Sequence, residues 1–346
     1  MLGFIQATKI LRMNSRIKLL VATAFISISA SIFGQLETNL LPIDFERHLR
    51  SNTEIKVIVL CKPEEFVTGH IGSAVQIGRK DYEDKSLEFS GIMAPRDSIA
   101  ALLSSCGISS EDTIFLYDHK GGCDAARFWW ILNVYGHKNT HFLNGSHKDL
   151  SKVVGAPSVI EPSEYSFPST IDPTLCADLE YVLKAIKRGA KLLDVRTIEE
   201  FEGSIIKDGA FKAGRIQHAL FYPWTNAIKA NGDQRLKGKD ILKEQFEGLG
   251  LKKDEEIIVY CHSGARSAHT TFVLTEILNY TNVKNYEGSW IEYSFNKELP
   301  TETDEQITEY GMMDKDEPYS VQQIFLMLLA AMAIFGLYRY QLRKRG

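Results

Sequence analysis

The sequence predicts an α/β protein of two tandem domains, each a mostly parallel sheet flanked by helices, with one transmembrane helix at the C-terminal end. Three observations carry this. First, the chain repeats itself. K-V-I-V-L-C-K-P-E-E-F-V-T-G-H-I-G-S-A-V from Lys56 runs parallel to K-L-L-D-V-R-T-I-E-E-F from Lys191 followed by A-G-R-I-Q-H-A from Ala213. D-T-I-F-L-Y-D-H-K-G-G from Asp112 matches D-E-E-I-I-V-Y-C-H-S-G from Asp254, and H-F-L-N-G-S from His141 matches K-N-Y-E-G-S-W from Lys284. Second, short apolar runs alternate with helix-like patterns, the rhythm of parallel βα units with helices on both faces. Third, residues 319–338 carry no charge, and twenty helical residues rise about 30 Å, the thickness of a bilayer core.

Length and composition agree with two domains of ordinary size: 346 residues, 44% apolar and 24% charged. A net charge of −4 offers no footprint for nucleic acid. Five cysteines without paired short spacing match neither a disulfide framework nor a zinc site. No metal and no cofactor is expected.

In chain order, residues 1–35 read as a signal peptide. Lys9, Arg12, Arg16 and Lys18 precede an uncharged run from Leu19 to Gly34 that grows richer in Ser and Ala. The first domain is expected over 36–150. Residues 151–172, rich in Pro and Ser and without periodicity, read as an extended linker. The second domain spans 173–300, and 301–318 form a juxtamembrane segment. The apolar span 319–338 ends in a basic tail, 339–346, with Arg339, Arg343, Lys344 and Arg345. Basic residues favour the cytoplasmic side, so both domains are expected outside, anchored by a single pass through the cell membrane.

Chemistry concentrates in the second domain. Ile257 to Tyr260 form an apolar, partly β-branched run that reads as a buried strand. From Ala265, Val273, Leu274, Ile277 and Leu278 recur at helical spacing on one face. Between strand and helix stand Cys261, His262, Ser263, Gly264, Ala265 and Arg266. A cysteine before a helix N-terminus sits among unpaired amides and the positive end of the helix dipole, which with Arg266 favours thiolate. Gly264 lets several amides converge on one point. The spacing is C-x4-R, one residue shorter than the C-x5-R cradle that phosphate chemistry needs. The shorter loop suits the outer sulfur of a persulfide.

The stretch V-Y-C-H-S-G-A-R-S-A-H resembles the active loop of the rhodanese (sulfurtransferase) family, and the resemblance extends over nearly all of the chain outside its ends. It implies two rhodanese-like domains and sulfane sulfur transfer from thiosulfate to cyanide or a thiol through a Cys261 persulfide. The active loop would comprise His262, Ser263, Gly264, Ala265, Arg266 and Ser267. Donor choice stays open between thiosulfate and 3-mercaptopyruvate. Ser263 is shared with mercaptopyruvate enzymes, whereas Arg266 and Ser267 resemble the ending of bacterial thiosulfate users. A carrier or redox-sensing module at the membrane is the other reading.

Asp118 stands where the second repeat has Cys261, and a carboxylate carries no persulfide. The first domain is therefore expected to be catalytically silent, as in tandem rhodaneses. Three further residues are expected to support the site. Asp194 and Arg196 form the D-V-R that closes a strand near the loop in the family pattern, and Trp224 follows Pro223, walling the mouth or packing. Arg215 replaces the family's usual His. Cys123 reads as packing, as do Cys61 in a strand, Cys106 before a glycine, and Cys176 at a helix start.

Overall fold

The computed structural model describes residues 39–51, 55–145, 148, 160–230 and 232–304. The expected signal peptide, most of the linker core at 151–159, the transmembrane span and the basic tail lie outside the described residues. Among the described residues no helix is long and apolar enough to cross a membrane.

In the first domain the order is β1 (Asn39–Leu40), α1 (Pro42–Ser51), β2 (Ile55–Leu60), α2 (Pro63–Thr68), β3 (Ala74–Ile77), α3 (Arg96–Ser105), β4 (Thr113–Asp118), α4 (Cys123–Tyr135) and β5 (Thr140–Leu143). The second domain runs β6 (Cys176–Ala177), α5 (Leu179–Lys187), β7 (Lys191–Asp194), α6 (Ile198–Glu202), β8 (Arg215–Ile216), β9 (Leu220–Phe221), α7 (Lys239–Gly248), β10 (Ile257–Tyr260), α8 (Ala265–Phe272), β11 (Val283–Tyr286), α9 (Ser289–Phe295) and β12 (Thr301–Glu302). The sheets are β1-β5-β4-β2-β3 and β6-β11-β10-β7-β9, with every neighbouring pair parallel. β12 pairs antiparallel with β8 in a small side sheet. Each strand-end loop with chemistry therefore leaves the C-terminal edge of a central strand, β4 or β10, where α/β sheets open their crevices.

Two details depart from the sequence reading. Cys176 lies in β6, not in a helix; the helix begins three residues later at Leu179, and the carboxylate of Asp178 before it accepts from Tyr181 N (2.7 Å) and caps it. The second-domain helix does not run as one α-helix past Phe272. Val273–Ile277 form a π turn, closed by Leu278 N on Val273 O (3.1 Å), which keeps both Leu274 and Leu278 buried.

The two sheets share a core. Apart from Asp124, α4 is buried on every side, as its nearly unbroken apolar sequence requires. It lies against α8: Trp129 meets Phe272 edge-on (centroids 5.0 Å, 88°), and Phe142 meets the same ring at 4.9 Å. Trp130 Nε1 donates to Leu175 O (2.8 Å), across the domain boundary. One apolar cluster consequently runs from Ile58 and Leu116 through Phe128 to Val259 and Leu274.

The contact is reciprocal. The segment after β3 lies on the 261–267 loop: Arg79 bonds Ser263, and a Cβ at Gly91 would stand 2.9 Å from Ser263 Cβ. The segment after β9 lies on the 118–122 loop: a Cβ at Gly121 would stand 2.8 Å from Ile228 Cδ1, beside Trp224, and Gln234 Nε2 donates to His119 O (3.1 Å). Each domain thus covers the other's loop with the equivalent piece of chain.

Candidate active site

Four buried residues, Ile257–Tyr260, carry β10 to the loop. Tyr260 holds β8 of the small side sheet by accepting Ile216 N on its hydroxyl (3.1 Å). Cys261 follows with 1% of its surface exposed. Its own amide donates to Ser289 Oγ (3.2 Å), and that hydroxyl donates in turn to Tyr286 O (2.8 Å). The Ser267 hydroxyl lies 3.4 Å from Sγ, and the amides of Ser267 and Ser263 also point at the sulfur. Burial alone pushes the thiol up. The Arg266 charge, the Ser267 hydroxyl and these amides outweigh it and bring Cys261 down to about 7. The thiolate is therefore accessible at neutral pH, as it is not for an ordinary buried thiol.

Gly264 makes the turn into α8. It holds φ 82, and a Cβ there would stand 2.6 Å from both Glu287 O and Arg127 Nη1. No other residue fits that backbone and that space. Ala265 opens the helix, buried behind the loop.

Arg266 does not offer a free fork to an anion. Its Nη1 and Nη2 donate to the two oxygens of Glu200 (2.6 and 2.8 Å). Glu200 is 3% exposed. Burial pushes its carboxyl up, but Arg266 holds it down at about 2. The role left to Arg266 is a fixed positive charge behind the sulfur. Glu200 was missed from the sequence, although its signal was present: E-E-F at 199–201 matches E-E-F at 64–66.

His262 is turned away from the sulfur. Its Nε2–H donates to Asp208 O (2.9 Å), and Nδ1 stands 4.0 Å from Glu200 Oε1. Burial lowers its pKa to about 4, so the ring is neutral and no proton is taken by it from the already acidic thiol. Ser263 carries its carbonyl and hydroxyl to Arg79 Nη2 (2.7 and 3.1 Å).

The three supporting residues stand further back. Arg196 forks its own neighbour Asp194 (2.6–3.0 Å), donates to Gly214 O (2.7 Å) and stacks over Trp290 at 4.5 Å. Trp290 N in turn donates to Cys261 O (3.0 Å), so this pair reaches the loop through one intermediary. Trp224 meets His269 edge-on (5.1 Å) and faces Gly121 of the first domain's loop. Arg215 stacks on Phe201 (4.2 Å) and bonds its carbonyl, while His70 does the same to Phe66 in the first domain. The substitution of Arg for His preserves the contact.

The first domain's loop holds Asp118 where the second holds Cys261. Its carboxylate accepts from the amides of Lys120, Gly122, Asp124 and Ala125 (2.7–3.1 Å). Cys123 begins the following helix, buried, and burial pushes its thiol well up. Among the described residues no cluster of His, Cys, Asp and Glu has the makings of a metal site.

Residues 42–152 and 178–295 match the model of the rhodanese-like domain. The chain is 33% identical over 257 residues to the sulfur carrier protein TtuD of Thermus thermophilus, covering 69% of this chain and 88% of that protein. It is 33% identical over 262 residues (72% and 92%) to a candidate thiosulfate sulfurtransferase of Saccharopolyspora erythraea. A second such protein, from Mycobacterium tuberculosis H37Rv, is 34% identical over 262 residues (70% and 91%). Among solved structures, the 3-mercaptopyruvate sulfotransferase SseA of Escherichia coli superposes with a TM-score of 0.63 at 24% identity, covering 74% of this chain and 99% of its own. Tum1 of Saccharomyces cerevisiae gives 0.67 at 18% (77% and 98%). These two likenesses speak to the fold. The chain belongs to the rhodanese family, with two rhodanese-like domains in tandem.

Proposed function

We propose that the protein is a thiosulfate sulfurtransferase whose second domain works through a Cys261 persulfide. The observation that carries this is the single acidic thiol, at about 7, set among amides at the end of a central strand. The Cys261 thiolate attacks the outer sulfur of thiosulfate; the sulfur–sulfur bond of the donor breaks and sulfite leaves with its electron pair. The negative charge now on the terminal sulfur of Cys261 stays beside the loop amides and the Arg266–Glu200 pair. Cyanide or a thiolate then takes that sulfur, and the Cys261 thiolate returns. Atoms and charge balance in both halves without a cofactor.

Thiosulfate is favoured over 3-mercaptopyruvate on the ending of the loop, Arg266-Ser267, which resembles that of bacterial thiosulfate users. The named sulfurtransferase relatives support the same donor. A steady-state assay of the full-length protein with the two donors side by side tests this. A larger kcat/KM with mercaptopyruvate overturns the donor assignment. A second reading, a persulfide carrier with little turnover, is supported by the similarity to the sulfur carrier protein of T. thermophilus. Rapid loading of one sulfur, with slow turnover by every small acceptor, would favour it.

The sequence further supports a topology in which 1–35 export the chain, 319–338 hold it in the membrane, and both domains stand on the extracytoplasmic side. An impermeant thiol reagent on intact spheroplasts should then react with Cys261. Labelling only after lysis, with the purified protein reactive, removes this topology.

A further inference from the structure

The silent domain acts on the catalytic loop through two arginines, and the peptide groups they hold explain how. A trans peptide is planar, with its C=O and N–H pointing in opposite directions. Holding a loop carbonyl outward therefore aims the next residue's amide inward. In the 261–264 stretch every carbonyl is held. Cys261 O takes Trp290 N, and His262 O takes Ile291 N (both 3.0 Å), from the loop's own domain. Ser263 O takes Arg79 Nη2 at 2.7 Å, from the other domain. Gly264 O takes Asn285 Nδ2 and Ala268 N (both 3.2 Å), with Arg127 Nη1, again from the other domain, at 3.5 Å.

Arg79 is the sole protein donor to Ser263 O among the hydrogen bonds of the described residues. Its guanidinium is itself set in place by Glu83 (2.6 Å) and Asp124 (3.5 Å), and the same Nη2 reaches the Ser263 hydroxyl. Arg127, fully buried, is anchored on Gly91 O (2.6 Å) and stacked on Trp130 (4.5 Å).

We infer that Arg79 is a positioning residue for sulfur transfer: by holding the Ser263 carbonyl outward, it keeps the Gly264 amide aimed at the space where the transferred sulfur and the donor anion sit. Arg127 helps Asn285 do the same for the Ala265 amide. Neither arginine touches the sulfur. The inference rests on Cys261 being the nucleophile, and it assigns the chemically silent domain a part in the reaction.

The test uses the full-length protein, with thiol pKa read from the pH dependence of alkylation, beside kcat, KM and thermal midpoint. Arg79→Met should raise the Cys261 pKa by about one unit and lower kcat/KM for thiosulfate about tenfold, with a midpoint lowered by the lost pairing to Glu83 and Asp124 but a folded protein at assay temperature. Arg79→Lys, which keeps the charge and one donor direction, should recover part of both. Wild-type pKa and kcat/KM in Arg79→Met overturn the inference. Full recovery by Arg79→Lys also overturns it, because charge alone would then account for the effect. If Arg79→Met does not fold, the Lys variant decides alone: an intermediate pKa supports positioning, a wild-type one overturns it. Cys261→Ser separates this from the nucleophile assignment. An active Cys261→Ser protein removes the assignment itself, whereas an inactive one beside an unaffected Arg79→Met removes only the role of Arg79.

Discussion

The loops at 118–124 and 261–267 are built to one plan and used in opposite ways. Each leaves a central strand with a tyrosine at or next to its end, whose hydroxyl takes a backbone amide from a segment outside that sheet's neighbouring strands: Tyr117 accepts Ile71 N (3.0 Å), Tyr260 accepts Ile216 N (3.1 Å). Each ends in a left-handed glycine that opens a helix, Gly122 or Gly264. In each, a glutamate from the preceding E-E-F turn reaches a basic residue of the loop, Glu65 to Lys120 (3.5 Å) and Glu200 to Arg266 (2.6 Å). The difference lies in what fills the cradle. In the first domain the Asp118 carboxyl takes four amides; in the second, Sγ takes two amides and a hydroxyl. From the sequence, Asp118 is a residue that carries no persulfide. The structure shows more: the Asp118 carboxyl itself fills the amide cradle, tethered there by the chain, although burial pushes its pKa up against those four amides. A loop can therefore lose its chemistry while keeping its amide geometry.

Variants can break this comparison. The largest effect is expected for Cys261→Ser, which should drop sulfur transfer to the assay floor and abolish the added sulfur atom (about 32 Da) seen on the Cys261 peptide after incubation with donor. Added mass on Cys123 would reverse the assignment of active and silent domains. Next comes Arg266→Lys. Losing the fork on Glu200 should raise the thiol pKa and lower kcat/KM by about ten- to a hundredfold, read by alkylation and steady-state kinetics. Asp118→Ala removes the internal carboxyl and strands four amides, which should cost about 3 kcal/mol of stability by denaturant unfolding. A silent loop held together by something else would show little loss.

The pH profile sharpens the same contrast. Since Cys261 is lowered to about 7 and only its thiolate attacks, kcat/KM should rise with pH through an inflection near 7 and fall tenfold per unit below it. The Glu200–Arg266 pair follows a different range. Its carboxyl is depressed to about 2, so its stabilisation is complete above the ordinary carboxylate range and is lost only as pH falls through about 2. Activity should thus vanish at pH values where the fold is still intact by circular dichroism. The smallest effect is expected for Cys123→Ser, whose thiol is buried and pushed up; turnover should stay within about twofold of wild type, as for a substitution outside the reacting groups.

What could be read from the sequence was what is local or repeated. The strand before Cys261, the glycine after it and the substitution of Asp118 all sit within a few residues, and the second copy supplied the comparison. The pairing of Arg266 with Glu200 spans 66 residues, and the bond from Arg79 to Ser263 spans 184. No periodicity encodes such distances. Trp224 illustrates the same limit. Its P-W motif was legible, but which wall it forms depends on the other domain's Gly121. The π turn at Val273–Ile277 was hidden because its apolar residues also satisfy an α-helical spacing.

The reciprocal covering of the two loops has a consequence for ancestry. Equivalent helices, α4 and α8, meet along their lengths, and equivalent segments, after β3 and after β9, each lie on the opposite loop. That is the pattern of an isologous two-fold interface, drawn within a single chain. It is what fusing the two subunits of a homodimer would produce. Within one chain the two halves can differ, and here one loop holds a thiol and the other a carboxyl. A change at Arg79 is then felt at a loop 184 residues away, so neither half stands as an independent module.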